Sequence, residues 1–192
     1  MSLPLKEIKI PQKEIYTYED YALLPEGAPY QLIGGKLVMT PAPTTYHQTI
    51  STRLLEKFLF FMAGKNLGMI YHAPIDVYLG EKETYQPDII FIAKDRLHII
   101  EPAKVKGAPD LVIEILSPST AYYDLKEKFK VYARQGVKEY WIVDPNDQSI
   151  EIYQEEEGKF KQIHRIEKEG KVKSKVLPGF EVEISDVFIN LT

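Results

Sequence analysis

Six residues, Leu111-Val-Ile-Glu-Ile-Leu116, constrain this chain more than any other stretch. An apolar run of that length, set off by Pro109-Asp110 before it and Ser117-Pro118 after it, is the pattern of a strand covered on both faces. It calls for a sheet with other layers packed above and below. The exception inside the run is Glu114. A buried, unpaired carboxylate is so unfavourable that it must take up a proton, pair with a cation or bind a metal, unless it reaches water at the strand's end.

A partner for Glu114 can be sought by strand geometry. Two Pro-Asp pairs precede apolar runs, Pro87-Asp88-Ile-Ile-Phe-Ile and Pro109-Asp110-Leu-Val-Ile-Glu. Asp110 shares a face with Glu114 but lies four residues away, about 13 Å at roughly 3.3 Å per residue, too far to share one metal. It reads as a turn residue at the start of its strand. Asp88 belongs to a different strand, and an adjacent strand about 4.8 Å away brings it beside Glu114 if the register allows. A carboxylate pair of this kind suits Mg²⁺ or Mn²⁺, which prefer oxygen ligands and keep bound waters. Such an ion serves phosphodiester hydrolysis by lowering the pKa of its water and offsetting charge on the phosphate, and a nearby lysine can orient that water.

The lysines available follow in a helical pattern from about Ala121 to Gln135, with an apolar stripe of Leu125, Phe129, Tyr132 and Ala133 and with Gly136 at the C-terminal cap. Asp124, Lys128 and Tyr132 stack at i, i+4 and i+8 along one ridge beside that stripe, while Lys126 borders its other edge. Periodicity does not choose between the two lysines, and Asp124 with Lys128 is equally readable as a surface ion pair. His47 opens an earlier helix whose apolar residues are Ile50, Leu54, Leu55, Phe58, Leu59 and Met62 and whose end is marked by Gly64. It reads as an exposed or capping histidine, or as a donor to a phosphate or to a site carboxylate.

Residues 1–30 are polar and aperiodic, an expected arm or short helix, and residues 31–192 are expected to form a single domain. A hairpin is expected at Gly34-Gly35, strands at Gly68 to Leu79, Asp88 to Ile92, Leu111 to Leu116 and Glu139 to Val143, and antiparallel hairpins around Glu155–Gly158 and Glu169-Gly170. The order implies an α/β fold in which a mixed central β-sheet is flanked by helices, with additional hairpins near the C-terminus.

Composition narrows the function classes. With 192 residues, 44% of them hydrophobic, the chain can bury roughly two-thirds of its unfolded surface in one core. The absence of cysteine removes disulfides, thiolate nucleophiles and cysteine-based zinc sites, and fits a cytoplasmic setting. The start Met-Ser-Leu-Pro-Leu-Lys-Glu7 lacks the apolar stretch of a secretory signal and no 18-residue apolar run occurs, so no membrane span is expected; no organic cofactor is expected either. A formal charge of −4, from 24 basic and 28 acidic side chains, means that any contact with a polyanion must be local.

The stretch Gly107-Ala-Pro-Asp-Leu-Val-Ile-Glu-Ile-Leu-Ser-Pro-Ser-Thr120, followed by Asp124, Lys128, Tyr132, Gly136-Val137 and Glu139-Tyr-Trp-Ile-Val-Asp-Pro145, closely resembles the large bacterial family of uncharacterised restriction endonucleases. The likeness extends to Gly35-Lys-Leu-Val-Met39, Pro43 with His47, Pro87-Asp88 and Leu177-Pro-Gly-Phe180, and covers nearly the whole chain. It implies the restriction-endonuclease-like, PD-(D/E)xK fold and metal-dependent cleavage of DNA, with Asp88 and Glu114 as the metal carboxylates. Leu116 occupies the place of the lysine in a literal Glu-x-Lys. The resemblance moves that role to the following helix, where Lys128 matches and Lys126 is the fallback. Asp124 would orient Lys128, His47 would contact phosphate, and Tyr132 would donate to the site from outside. Family members commonly carry glutamate where this chain has Gln31, in Gln31-Leu-Ile-Gly-Gly35. An amide keeps an acceptor but loses the charge, which weakens a metal site. A catalytically impaired nucleic-acid- or partner-binding module on the same scaffold is the alternative it raises. Cutting two strands takes two sites, so a homodimer is expected.

Overall fold

The computed structural model describes residues 12–189. A short helix α1 (Tyr18–Ala22) leads to strands β1 (Tyr30–Ile33) and β2 (Lys36–Met39) and to helix α2 (Thr45–Met62). Strands β3 (Gly68–His72), β4 (Val77–Gly80), β5 (Glu83–Tyr85) and β6 (Ile89–Ala93) follow, then a 3-10 turn (Lys94–Ile99), β7 (Val105–Lys106) and β8 (Leu111–Ile115). A π-helical turn (Tyr123–Lys128) continues into α3 (Phe129–Gln135). The chain ends with β9 (Glu139–Asp144), β10 (Ser149–Glu156), β11 (Lys159–Glu167), β12 (Lys171–Lys173), β13 (Glu181–Glu183) and the short α4 (Ile184–Val187).

All five residues of β8 are buried. The strand lies inside a six-stranded sheet of order β11-β10-β9-β8-β6-β3, antiparallel except for the parallel β8–β9 pair. Leu111, Ile113 and Ile115 pack with Ile50, Leu54 and Phe58 of α2 and with Leu177 and Phe180 of the C-terminal segment. Val112 packs on the other side, with Ile90 of β6, Tyr140 and Ile142 of β9, and Val131 and Tyr132 of α3. The expected mixed sheet with helices on its faces is present, and alternation along β8 assigns its side chains to the two layers. A second sheet, β2-β1-β5-β4-β7, was not legible in the sequence; its Val77, Leu79 and Tyr85 complete the α3-side core.

Local chemistry explains several elements. Gly34 and Gly35 both take positive φ, 58° and 75°, and form the two-residue turn that pairs Ile33 with Lys36. Thr44 caps α2 by accepting the His47 N–H at 3.2 Å, and the buried stripe is Ile50, Leu54 and Phe58, narrower than expected because Leu59 is exposed. The stretch Gly68–Leu79 is two strands rather than one. Pro74 has no N–H for a ladder, and the chain crosses there from the central sheet to the second one.

At the C-terminus, β10 and β11 form the expected hairpin through Glu157-Gly158. The turn at Glu169-Gly170 makes no second hairpin of its own, because β12 pairs with β13 across the loop that contains Leu177-Pro-Gly-Phe180. Of the expected arm, residues 1–11 lie outside the described residues. Tyr16 and Tyr18 donate their N–H groups to Gly35 O (2.8 Å) and Glu81 O (2.7 Å), which fastens the segment to the second sheet.

Candidate active site

Strand register brings Asp88 and Glu114 together. In the antiparallel β6–β8 pair Ile89 stands opposite Ile113, so one step beyond, Asp88 stands opposite Glu114. Asp88 Oδ2 accepts the Ile115 N–H at 2.7 Å, a side chain taking over as acceptor where the ladder ends. Glu114 is 3% exposed, and its Oε1 accepts from Lys128 Nζ at 3.0 Å and from the Tyr132 hydroxyl at 2.7 Å. Asp88 Oδ1 and Glu114 Oε2 accept no hydrogen bond from a described side chain.

Lys128 stands one turn before Tyr132 on the same ridge, and Asp124 comes inward beside it through a departure from the α-helix. A regular helix over Ala121–Gln135 would bury Leu125 on the stripe with Phe129 and Tyr132. The π-helical turn Tyr123–Lys128 holds more residues per turn and rotates the start of the helix relative to α3. Leu125 is consequently 41% exposed, whereas Asp124 and Lys128 are 1% and 2% exposed. Asp124 Oδ1 lies 2.8 Å from Lys128 Nζ, an ion pair by distance without hydrogen-bond alignment. Lys126 is exposed on the outer side of the turn, so of the two candidate lysines it is Lys128 that meets Glu114.

His47 is 8% exposed, contrary to its reading as an exposed histidine. Its ring lies 3.0 Å by Nε2 from the Ile115 carbonyl and 3.5 Å from Asp88 Oδ2. A carbonyl only accepts, so Nε2 carries the proton, and the buried Nδ1 has no partner among the described residues. Gln31 is buried in β1 with both ends of its amide engaged: Oε1 accepts the Gln86 N–H at 3.0 Å and Nε2 donates to Thr40 Oγ1 at 3.2 Å. Asp110 is no plain turn residue. It is buried at the opposite end of β8, bound to Ala93 N, Arg96 and Lys138, away from the Asp88–Glu114 pair.

Burial pushes the Glu114 carboxyl well above its ordinary value, Lys128 opposes this, and the neighbouring Asp124 and Asp88 charges reinforce it. For Lys128, burial favours the neutral amine, but Asp124 and Glu114 outweigh it and raise its pKa. The two shifts pull against each other, since a protonated Glu114 would weaken its hold on Lys128. Two carboxylates face the one Lys128 ammonium. The cluster is thus short of positive charge, and a proton or a cation at Glu114 relieves it. For His47, burial lowers the pKa, and Asp88 with the Ile115 carbonyl outweighs it, so the net direction is upward.

The donor set bears on which metal could fit. Among the described residues no three His, Asp or Glu side chains gather as a cage. Two carboxylates with free oxygens and excess negative charge suit a hard cation that keeps most of its waters, such as Mg²⁺ or Mn²⁺, and not a zinc site closed by four protein ligands. Two surface cavities of about 410 and 270 Å³ lie elsewhere, beside Thr45, Thr49 and Arg53 and beside Phe60, Phe61 and Phe180.

Sequence reasoning missed the main-chain groups of Ile115, which bind both Asp88 and His47 and carry no side-chain signal. It also passed over Tyr140, whose hydroxyl donates to the Asp124 carbonyl at 3.1 Å. The signal was available: a tyrosine in an apolar buried strand needs a partner for its hydroxyl for the same reason that Glu114 needs one.

Comparisons with known proteins bear on the family and the fold. Residues 17–186 match the Uma2 family model, described as "Putative restriction endonuclease". An uncharacterised protein of Synechocystis is 25% identical over 126 residues, which cover 65% of this chain and 71% of that protein. A crystal structure of a "putative nuclease" from Anabaena variabilis superposes with a TM-score of 0.73 at 21% identity, covering 90% of this chain and 97% of the other. At that identity the likeness speaks for the fold.

Proposed function

The chain belongs to the Uma2 family of restriction-endonuclease-like proteins, and on that footing we propose that it is a divalent-metal-dependent nuclease that hydrolyses DNA phosphodiester bonds at Asp88 and Glu114. The observation that carries the reading is the opposed pair of carboxylates, one of them buried, left with excess negative charge after Lys128 has been shared.

Asp88 and Glu114 would hold Mg²⁺ or Mn²⁺. Bound there, the ion would supply a water of lowered pKa and offset charge on the phosphate oxygens. The protein's own contribution is orientation. Tyr132 and Lys128 hold Glu114 by one oxygen and leave the other free. Ile115 N–H fixes Asp88 Oδ2, and His47 braces the Ile115 carbonyl while standing beside Asp88, with Nε2 engaged and Nδ1 buried, so it acts as a brace rather than as the expected phosphate contact. Lys128 supplies fixed positive charge beside Glu114, and Asp124 keeps it there. DNA is the substrate of this reading, a homodimer cutting two strands its working form, and the cytoplasm its compartment. Among the described residues no helix is long and apolar enough to cross a membrane.

One observation favours a second reading, in which the scaffold binds nucleic acid without cutting it. The Gln31 amide is used at both ends by the protein itself and brings no charge to the site. The two readings separate in a melting experiment with millimolar Mg²⁺ or Mn²⁺, followed by incubation with supercoiled plasmid. The nuclease reading expects a metal-dependent rise in Tm that Asp88→Ala and Glu114→Gln abolish, and plasmid nicking lost in the same variants. Salt-sensitive DNA binding with neither effect would establish the second reading in its place.

A further inference from the structure

The π-helical turn brings Asp124 inward and leaves Leu125 outside, and another element bonds to its backbone. Tyr140 lies in β9, fully buried, with its ring 5.2 Å from Tyr132 and stacked 5.4 Å from Phe160. Its hydroxyl crosses from the sheet to the π-helical turn and donates to the backbone carbonyl of Asp124. A carbonyl oxygen has a second lone pair beyond its helical bond, so this outside donor ties the turn to the sheet. A chain of contacts follows. Tyr140 holds the Asp124 backbone, the Asp124 carboxylate lies 2.8 Å from Lys128 Nζ, and Nζ lies 3.0 Å from Glu114.

We propose that Tyr140 is a positioning residue: through the Asp124 carbonyl it holds the start of the helix against the sheet and so keeps the Asp124 carboxylate on the Lys128 ammonium that pairs with Glu114. The proposal rests on the reading of Lys128 as the site lysine, and its first measurement needs no cleavage. Without that bond the helix start is released from the sheet, and the Asp124 carboxylate leaves Lys128.

The test is Tyr140→Phe, which keeps the ring in its aromatic cluster, observed through the Lys128 ammonium signal in ¹⁵N-lysine-labelled protein. In the wild type a buried, paired ammonium exchanges slowly with water. The expected result is folded Tyr140→Phe protein in which Lys128 ammonium exchange is at least tenfold faster, while Tyr153→Phe, whose hydroxyl bonds Glu151, leaves it unchanged. Unchanged Lys128 exchange in folded Tyr140→Phe overturns the proposal. Should that variant fail to fold on its own, the same exchange is read in trimethylamine N-oxide, which favours the folded state, and an unperturbed Lys128 signal there overturns the proposal equally. Where the wild type cleaves DNA, Tyr140→Phe should lower kcat about tenfold with KM unchanged. If the wild type does not cleave, the nuclease reading falls while the ammonium measurement still decides the role of Tyr140.

Discussion

Lys128 has no water to turn to. It is buried between Glu114 and Asp124, so Lys128→Met leaves two buried carboxylates without their cation. Breaking a buried pair in this way destabilises by about 3–5 kcal/mol. Adding Glu114→Gln removes one of the stranded charges, so the double variant should recover part of the loss, with a coupling above about 1 kcal/mol in urea denaturation. Strict additivity would mean that the two side chains do not interact. Asp110 acts at the same scale with a pH signature. Burial alone would raise its pKa, but the Ala93 N–H, Lys138 and Arg96 outweigh it and the net shift is downward. A carboxylate with a lowered folded pKa adds stability that is complete above the unfolded pKa, about 3.9, and is lost as pH falls through the folded value. Asp110→Asn should therefore flatten the acid limb of a stability-versus-pH curve, and a limb of unchanged steepness would refute the assignment.

Elements in this protein are joined at a few points that tolerate no added atom. A Cβ at Gly68, where φ is +148°, would stand 2.0 Å from the Ile92 carbonyl oxygen and 3.0 Å from the Ala93 backbone. The obstruction is main chain and cannot swing aside, so Gly68→Ala must push β3 off β6. Overpacking of this kind costs about 1–3 kcal/mol or more. Amide exchange should accelerate across β3 while β8 and β9 keep their protection; equal protection in β3 would show the clash to be absorbed. Gly136→Ala is the contrast. Its φ is +85° with open space around it, so only the strain of a left-handed residue applies, about 1 kcal/mol. The π-helical turn belongs to this scale as well: no residue in Tyr123–Lys128 announces it, and its consequence appears in which residues of the helix end up buried.

Across the whole molecule, the two large sheets share one core layer. Val77, Leu79 and Tyr85 of the second sheet pack with Ile90, Val112 and Tyr140 of the central one, while α2 and the C-terminal segment cover the opposite face. The single tryptophan, Trp141, lies on the α2 face with Phe58 at 5.9 Å, and the tyrosines Tyr85, Tyr132 and Tyr140 lie on the other. Tryptophan fluorescence and tyrosine near-UV circular dichroism should therefore report one urea midpoint. Two separated midpoints would divide the chain into independently folding units. The net charge of −4 leaves DNA contact to local groups, which places the weight of the nuclease proposal on the carboxylate cluster rather than on a basic surface.

Hydrophobic period was enough to identify the covered central strand, the helix α2, the Gly34-Gly35 hairpin and the misfit of Glu114, because burial and turn geometry act on single residues and their near neighbours. Asp88 could be chosen over Asp110 for the same reason: rise per residue is a property of the strand itself. Register, layer and helix type could not be chosen that way. Whether Asp88 stands opposite Glu114 depends on how β6 and β8 pair, the break at Pro74 sends β3 and β4 to different sheets, and the π-helical turn, bonded to β9 through Tyr140, decides that Asp124 is buried and Leu125 exposed. Those are energies between distant segments. A pattern read along the chain carries no information about which of several near-equal local conformations such contacts will stabilise.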